Sequence, residues 1–132
     1  IIAKIKAVAN TPFSFFNAYT PTALVSLKNG GSGLSPIGAN FYPELYAELI
    51  KGVNERKNEK ELNRLGTRLT VMDRVVGLLY PLSAKMFLQQ RGLPIRPVCR
   101  VPHRKVQADD HLRFNALMEM YKETLEQLRS QH

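Results

Sequence analysis

The chain has 132 residues, 44% of them apolar, with one cysteine and a formal net charge of +8. That length holds one domain of ordinary size, the apolar fraction excludes an intrinsically disordered chain, and no apolar run is long enough to span a bilayer. The lone Cys99 excludes an intrachain disulfide and a cysteine-based metal cluster, and is expected as a small, half-buried side chain.

The opening stretch IIAKIKAVAN has Ile1, Ile2, Ile5 and Val8 at helical spacing and lacks the apolar block and cleavage site of a signal peptide. It reads as the end of a helix that begins upstream, which predicts a longer protein. Asn10-Thr11-Pro12 stops it, because proline disfavours helix in the residue before it. Residues 13–19, FSFFNAY, are aromatic-rich and bounded by turn signals, the pattern of a strand. Thr20-Pro21 then supplies an N-cap and a proline at the first helical position, and Asn29-Gly30 a left-handed stop. Residues 33–40 form a second expected strand, interrupted by Pro36 and Gly38.

Residues 43–57 are amphipathic, with Leu45, Leu49, Ile50 and Val53 on one side. Leu62, Leu65, Leu69, Met72, Val76 and Leu79 then repeat at alternating spacings of three and four, a strong helical signal. Residues 81–90 predict a shorter helix ended by Gly92. The segment after it carries Arg91, Arg96, Arg100, Arg104 and Lys105 with no acid between them, punctuated by Pro94, Pro97 and Pro102. Elsewhere charges of both signs alternate, and there is no stacking-aromatic cluster, zinc-finger spacing or recognition helix. The basic segment therefore reads as a loop, not a nucleic-acid interface. The last helix starts near Ala108, with Asp109 and Asp110 at its positive end and Phe114, Met118, Tyr121, Leu125 and Leu128 as its expected buried stripe.

Strand–helix alternation implies a parallel sheet with crossovers, and parallel sheets need cover on both faces. Two such strands want neighbours that these residues do not supply, a second sign of a longer protein.

Three stretches in order carry a resemblance. GLSPIGANFYPELYAEL (Gly33, Asn40, Pro43, Glu44), PLSAKMFLQQRGL (Pro81, Lys85, Gly92, Leu93) and CRVPHRKV (Arg100, Pro102) together resemble the carboxy-terminal part of the dihydrodipicolinate synthase/N-acetylneuraminate lyase family. These are Schiff-base aldolases built on a (β/α)8 barrel. The resemblance implies an α/β fold: residues 1–58 as the last βα units of a TIM barrel, with 13–19 and 33–40 as strands seven and eight, and residues 59–132 as a carboxy-terminal helical extension. It also implies a cytoplasmic enzyme that needs no cofactor or metal, assembles as a homodimer or homotetramer, and binds neither nucleic acid nor membrane.

Family enzymes condense a lysine with the keto group of pyruvate or a related 2-keto acid. The iminium so formed acts as an electron sink for C–C bond formation or cleavage. On the resemblance that lysine lies upstream of Ile1, so no catalytic residue is expected in this sequence. Lys4 and Lys6 belong to a surface helix, and Lys85 to the outer extension as a structural residue. The implied contribution of this chain is the wall of the substrate pocket: Ser35, whose carbonyl position faces the keto acid, and Asn17, Ala18 and Tyr19 at the carboxyl end of the preceding strand. Tyr19 stands there either as a substrate hydrogen-bond partner or as a packing ring. Gly33, Gly38 and Ala39 either admit a ligand close to the backbone or fit a crowded rim, and both readings stand. Asn40 is expected to tie the strand end to the next helix.

Two departures from the family pattern stand out. The run Asn17-Ala18-Tyr19-Thr20 lacks the acids that commonly follow strand seven and hold sugar hydroxyls in sialate lyases, which weighs against a sialic-acid substrate. Pro36 removes a ladder donor within strand eight. They motivate an alternative, a non-catalytic keto-acid-binding or regulatory member of the same family.

Overall fold

A parallel pair of strands, each followed by a helix, organises the amino-terminal part of the chain. The computed structural model describes residues 1–102 and 104–130, which divide into two compact units, Ile1–Thr70 and the residues from Val71 onward.

The first unit runs α1 (Ile2–Val8), β1 (Phe16–Asn17), α2 (Ala23–Lys28), β2 (Gly33–Leu34), α3 (Pro43–Asn54) and most of α4 (Glu59–Val76). β1 and β2 are parallel, with Phe16 opposite Gly33 and Asn17 opposite Leu34. Flanking bonds extend the ladder by a residue at each end: the Ser32 N–H donates to the Phe15 carbonyl (2.8 Å) and the Ser35 N–H to the Asn17 carbonyl (2.9 Å).

Both strands are shorter than their sequence signals. The expected strand over 33–40 stops after Leu34, and Ile37–Asn40 forms a 3₁₀ turn instead. Ser35 makes the last rung, and Pro36, which has no N–H to offer a strand on the other edge, opens the turn that takes Ile37 out of the ladder. The expected strand over 13–19 is reduced to Phe16–Asn17, because the Asn17 side chain caps the next bend by accepting from the Tyr19 N–H (3.0 Å). Thr20 is not the N-cap of α2. It begins a 3₁₀ turn, Thr20–Thr22, and its buried hydroxyl lies 3.0 Å from that of Tyr46.

Three of the helices end by one device. Past α2, the Gly30 N–H reaches the Leu27 carbonyl (3.1 Å) and the Gly31 N–H the Ser26 carbonyl (2.9 Å), with Gly30 at φ 88°. This double bond is a Schellman stop, which needs a left-handed residue. α3 ends identically through Arg56 and Lys57, three residues before the expected limit, with Arg56 at φ 53°. Asn58 then caps α4, its side-chain oxygen accepting from the Lys60 N–H (2.9 Å). Lys28, in the last turn of α2, meets Glu59, in the first turn of α4, at 2.6 Å; that hydrogen bond and charge hold the Glu59 carboxyl below the usual carboxylate range.

The core of the first unit is the start of α3 and what it touches. Phe41, Tyr42, Leu45, Tyr46 and Leu49 are buried, with the Tyr42 and Tyr46 rings stacked at 5.9 Å, and Ala23 and Leu27 of α2 join them. The apolar stripe of α4 is buried from Leu62 through Val76, as its periodicity predicts. Leu79 is the exception: it lies beyond the helix end, half-buried, at φ 55°.

The second unit contains α5 (Leu82–Gln90) and α6 (Ala108–Arg129). α5 stops at Gly92 (φ 90°) in a third Schellman motif, with the Gly92 N–H on the Gln89 carbonyl and the Leu93 N–H on that of Leu88. Phe87 meets Tyr121 edge-on at 5.5 Å, and the Arg91 guanidinium lies 4.9 Å from the centre of the same ring. The buried face of α6 is Phe114, Leu117, Met118, Tyr121 and Thr124; Leu125 and Leu128, expected with them, are half-buried. Asp110 is fully buried, not merely placed at the helix start. It receives both Arg104 Nη atoms (2.6 and 2.8 Å) and the Gln107 N–H (2.9 Å). Those bonds, Arg104 first, hold its carboxyl down at about 2. Among the described residues, no helix is long and apolar enough to cross a membrane.

Candidate functional site

Parallel pairing sends the carboxyl ends of β1 and β2 to the same edge, so residues 17–20 and 35–40 share one rim. An open cleft of about 450 Å³ lies along β1, lined by Ile1 and Lys4 from the α1 region, Phe15 to Tyr19, and Thr22. Asn17, Ala18 and Tyr19 thus share the cleft. Ser35 is not part of its lining, but is joined to Asn17 by the last rung of the ladder.

Each side chain has a defined state. Asn17 is buried and its amide is used inside the protein: the Nδ2 donates to the Tyr19 carbonyl (3.3 Å) and the Thr22 hydroxyl (3.0 Å), while Oδ1 accepts from the Tyr19 N–H. Its work is to shape the bend that presents Ala18 and Tyr19. Tyr19 is 60% exposed, and Ala18 and Ser35 are exposed as well. No carboxylate occurs in residues 17–20 or 35–40, so Lys4, on the α1 wall, is the charged group of the cleft.

The rim glycines answer to packing. A Cβ on Gly33 would sit 2.6 Å from the Phe16 ring, and one on Gly38 would overlap the Tyr46 hydroxyl. Both places are already filled by side chains of this chain. The Asn40 amide closes its own 3₁₀ turn by donating to the Ile37 carbonyl (3.2 Å). Lys85 is remote from this rim in sequence and serves the second unit, its ammonium donating to the Val98 carbonyl. Cys99 is half-buried.

Two contributors escaped the sequence reading. Lys4 looked like one charge among several on a surface helix, and nothing in its spacing marks it. Thr22 could have been found from its position two residues into the turn opened by Thr20-Pro21, within reach of a capping asparagine.

Against this geometry, the sequence model of the dihydrodipicolinate synthetase family matches residues 1–121. The chain belongs to that family. Among solved structures it is similar to the crystal structure of a "putative dihydrodipicolinate synthetase" from Pseudomonas aeruginosa, with a TM-score of 0.74 and 20% identity over 91% of this chain. At that identity the likeness is one of fold. The chain spans 41% of the length of that structure, so its two strands and their helices represent part of a barrel. No curated protein matches the chain.

Proposed function

We propose that this family member is a lysine-dependent aldolase or lyase acting on pyruvate or a related 2-keto acid, and that these residues are its carboxy-terminal part. In this reading β1 and β2 are barrel strands seven and eight, and the reactive amine comes from a strand upstream of Ile1. The supporting observation is the shared carboxyl edge of a parallel strand pair inside a chain matched to the family nearly end to end. Active sites of β/α barrels lie at that edge.

The chemistry assigns the chain a limited role. Attack of an unprotonated lysine on the keto carbon, followed by loss of water, gives an iminium that accepts the electron pair of the reacting C–C bond. Residues 17–19 and 35 wall that carbon. The Ser35 main chain faces the keto acid, and the Asn17 bend sets the height of the rim. Tyr19, exposed and at the edge, is the residue with a hydroxyl free to reach the second substrate. Assembly as a homodimer or homotetramer and a cytoplasmic location accompany this reading.

Treating the intact protein with pyruvate and borohydride tests it. The expected result is a covalent adduct on a lysine outside the present sequence, found by peptide mass mapping. Absence of any adduct, with keto-acid binding still measurable by calorimetry, would establish the second reading, a non-catalytic keto-acid-binding member. That reading draws on the lack of any carboxylate at the rim and on the inward commitment of the Asn17 amide.

A further inference from the structure

The two turns of the rim belong to different strand–helix units. The ladder between the strands ends at the Ser35–Asn17 rung, and past it each unit closes a 3₁₀ turn of its own, Thr20–Thr22 and Ile37–Asn40. Thr20 directly follows Tyr19, and the second turn begins two residues after Ser35. The placement of one turn against the other therefore sets the spacing of the two walls of the pocket.

One atom meets both turns. The Tyr46 hydroxyl, carried by α3, lies 3.0 Å from that of Thr20 and fills the place a Cβ on Gly38 would take. Tyr46 and Thr20 are each 3% exposed, and Gly38 is buried with them. That burial is internal to the first unit, so further chain packed against it can only add to it. α3 is held to the second turn as well: the Gly38 carbonyl accepts from the Phe41 and Tyr42 N–H groups (2.9 and 3.1 Å), and the Tyr42 ring stacks on that of Tyr46. A stiff ring on the helix thus fixes the hydroxyl relative to Gly38, and the hydroxyl passes that position on to Thr20. A buried hydrogen bond counts most through the cost of leaving one partner without the other. Without the Tyr46 hydroxyl, the Thr20 hydroxyl loses this partner away from water, and its turn shifts to replace it.

We propose that Tyr46 is a positioning residue for the keto-acid pocket, its hydroxyl acting as the spacer that holds the turn after β1 at a fixed distance from Ser35. Tyr46 touches no substrate in this role. It acts through Thr20 on the Tyr19 side and through Gly38 on the Ser35 side, and small displacements of such walls are costly to binding. The inference rests on the reading of this rim as a 2-keto-acid site, and it holds for a catalytic and for a non-catalytic member alike.

The test is calorimetric titration of the intact protein with pyruvate, with borohydride trapping run in parallel. Tyr46→Phe keeps the ring and should weaken pyruvate binding about tenfold. Thr20→Val should do the same, and the double variant should lose no more than either single one, because both remove one bond. Thr20→Ser restores the hydroxyl and should recover most of what Thr20→Val loses. Thr124→Val deletes a different buried hydroxyl, one that donates to the Met120 carbonyl (2.6 Å) within α6, and should leave pyruvate affinity unaltered. Circular dichroism of each variant checks that the fold is intact. Parent-like affinity in Tyr46→Phe, additive losses in the double variant, or an equal loss in Thr124→Val overturns the inference while leaving the pocket reading in place. A parent protein that neither binds pyruvate nor is trapped by borohydride overturns the pocket reading, and the inference with it.

Discussion

Two glycines of the rim look alike in sequence and differ in what holds them. The Gly38 neighbour is the hydroxyl of buried Tyr46, fixed by its contact with Thr20; the Gly33 neighbour is the Phe16 ring, 58% exposed and free to swing. Gly38→Ala should therefore cost about 1–3 kcal/mol, whereas Gly33→Ala should cost less than about 1 kcal/mol. Urea denaturation of both variants checks this. Removing the hydroxyl first, with Tyr46→Phe, should shrink the Gly38→Ala penalty; an unchanged penalty in that background would sink the explanation. Asp110 makes a second residue-scale case. Its carboxyl is held at about 2 against an ordinary 3.8, so it binds its proton later than the unfolded chain does. Its contribution to stability is complete above about pH 4 and disappears as pH falls from 4 toward 2. Urea midpoints measured across that interval should fall steeply in the parent protein. Asp110→Asn should lower the midpoint at neutral pH and flatten the acid slope.

At the scale of elements, the Schellman stops of α2, α3 and α5 share geometry and differ in the residue at the left-handed position. Gly30 and Gly92 adopt it freely, whereas Arg56 holds φ 53° with a Cβ. Arg56→Gly is expected to stabilise the protein by about 0.5–1 kcal/mol, and Gly92→Ala to destabilise it by about 1 kcal/mol. Chemical denaturation distinguishes the signs, and two effects of the same sign would show that the stops are not equivalent. The buried face of α6 gives a sharper contrast. Leu117 is 3% exposed and Leu112 70%, so Leu117→Ala should cost about 2–5 kcal/mol and Leu112→Ala under about 0.5 kcal/mol.

For the whole molecule, the decisive fact is a two-stranded parallel sheet with apolar side chains left in the open. Phe13, Phe16 and Tyr19 around β1 and Ile37 after β2 are all exposed in a chain that spans 41% of its structural relative. Parallel strands are stable when both faces are covered, and single exposed rings are ordinary while a run of them is not. Expressed as these 132 residues alone, the chain should bind an apolar dye and sediment as concentration-dependent oligomers. The intact protein, on the barrel reading, should do neither at Phe16. A 132-residue chain that stays monomeric and dye-free would overturn the barrel reading of β1 and β2.

The sequence by itself determined whatever depends on short-range periodicity and backbone chemistry. The α4 stripe, the Gly30 and Gly92 stops, the start of α6 and the parallel pairing of two strand–helix units were all legible there. So was the family, because three weak motifs in fixed order are more specific than any of them alone. Only the tertiary structure decided the rest. It shortened both strands, the first where the Asn17 side chain caps the bend and the second where Ile37 turns into a 3₁₀ turn, and it turned Asn17 inward because Thr22 and the Tyr19 backbone offered it better partners than an open rim. It buried Asp110 against a cation six residues upstream, and it filled the space beside Gly33 and Gly38 with rings whose approach no local pattern encodes. Hydrogen-bond competition and side-chain packing are properties of three-dimensional neighbours, and a linear pattern does not record them.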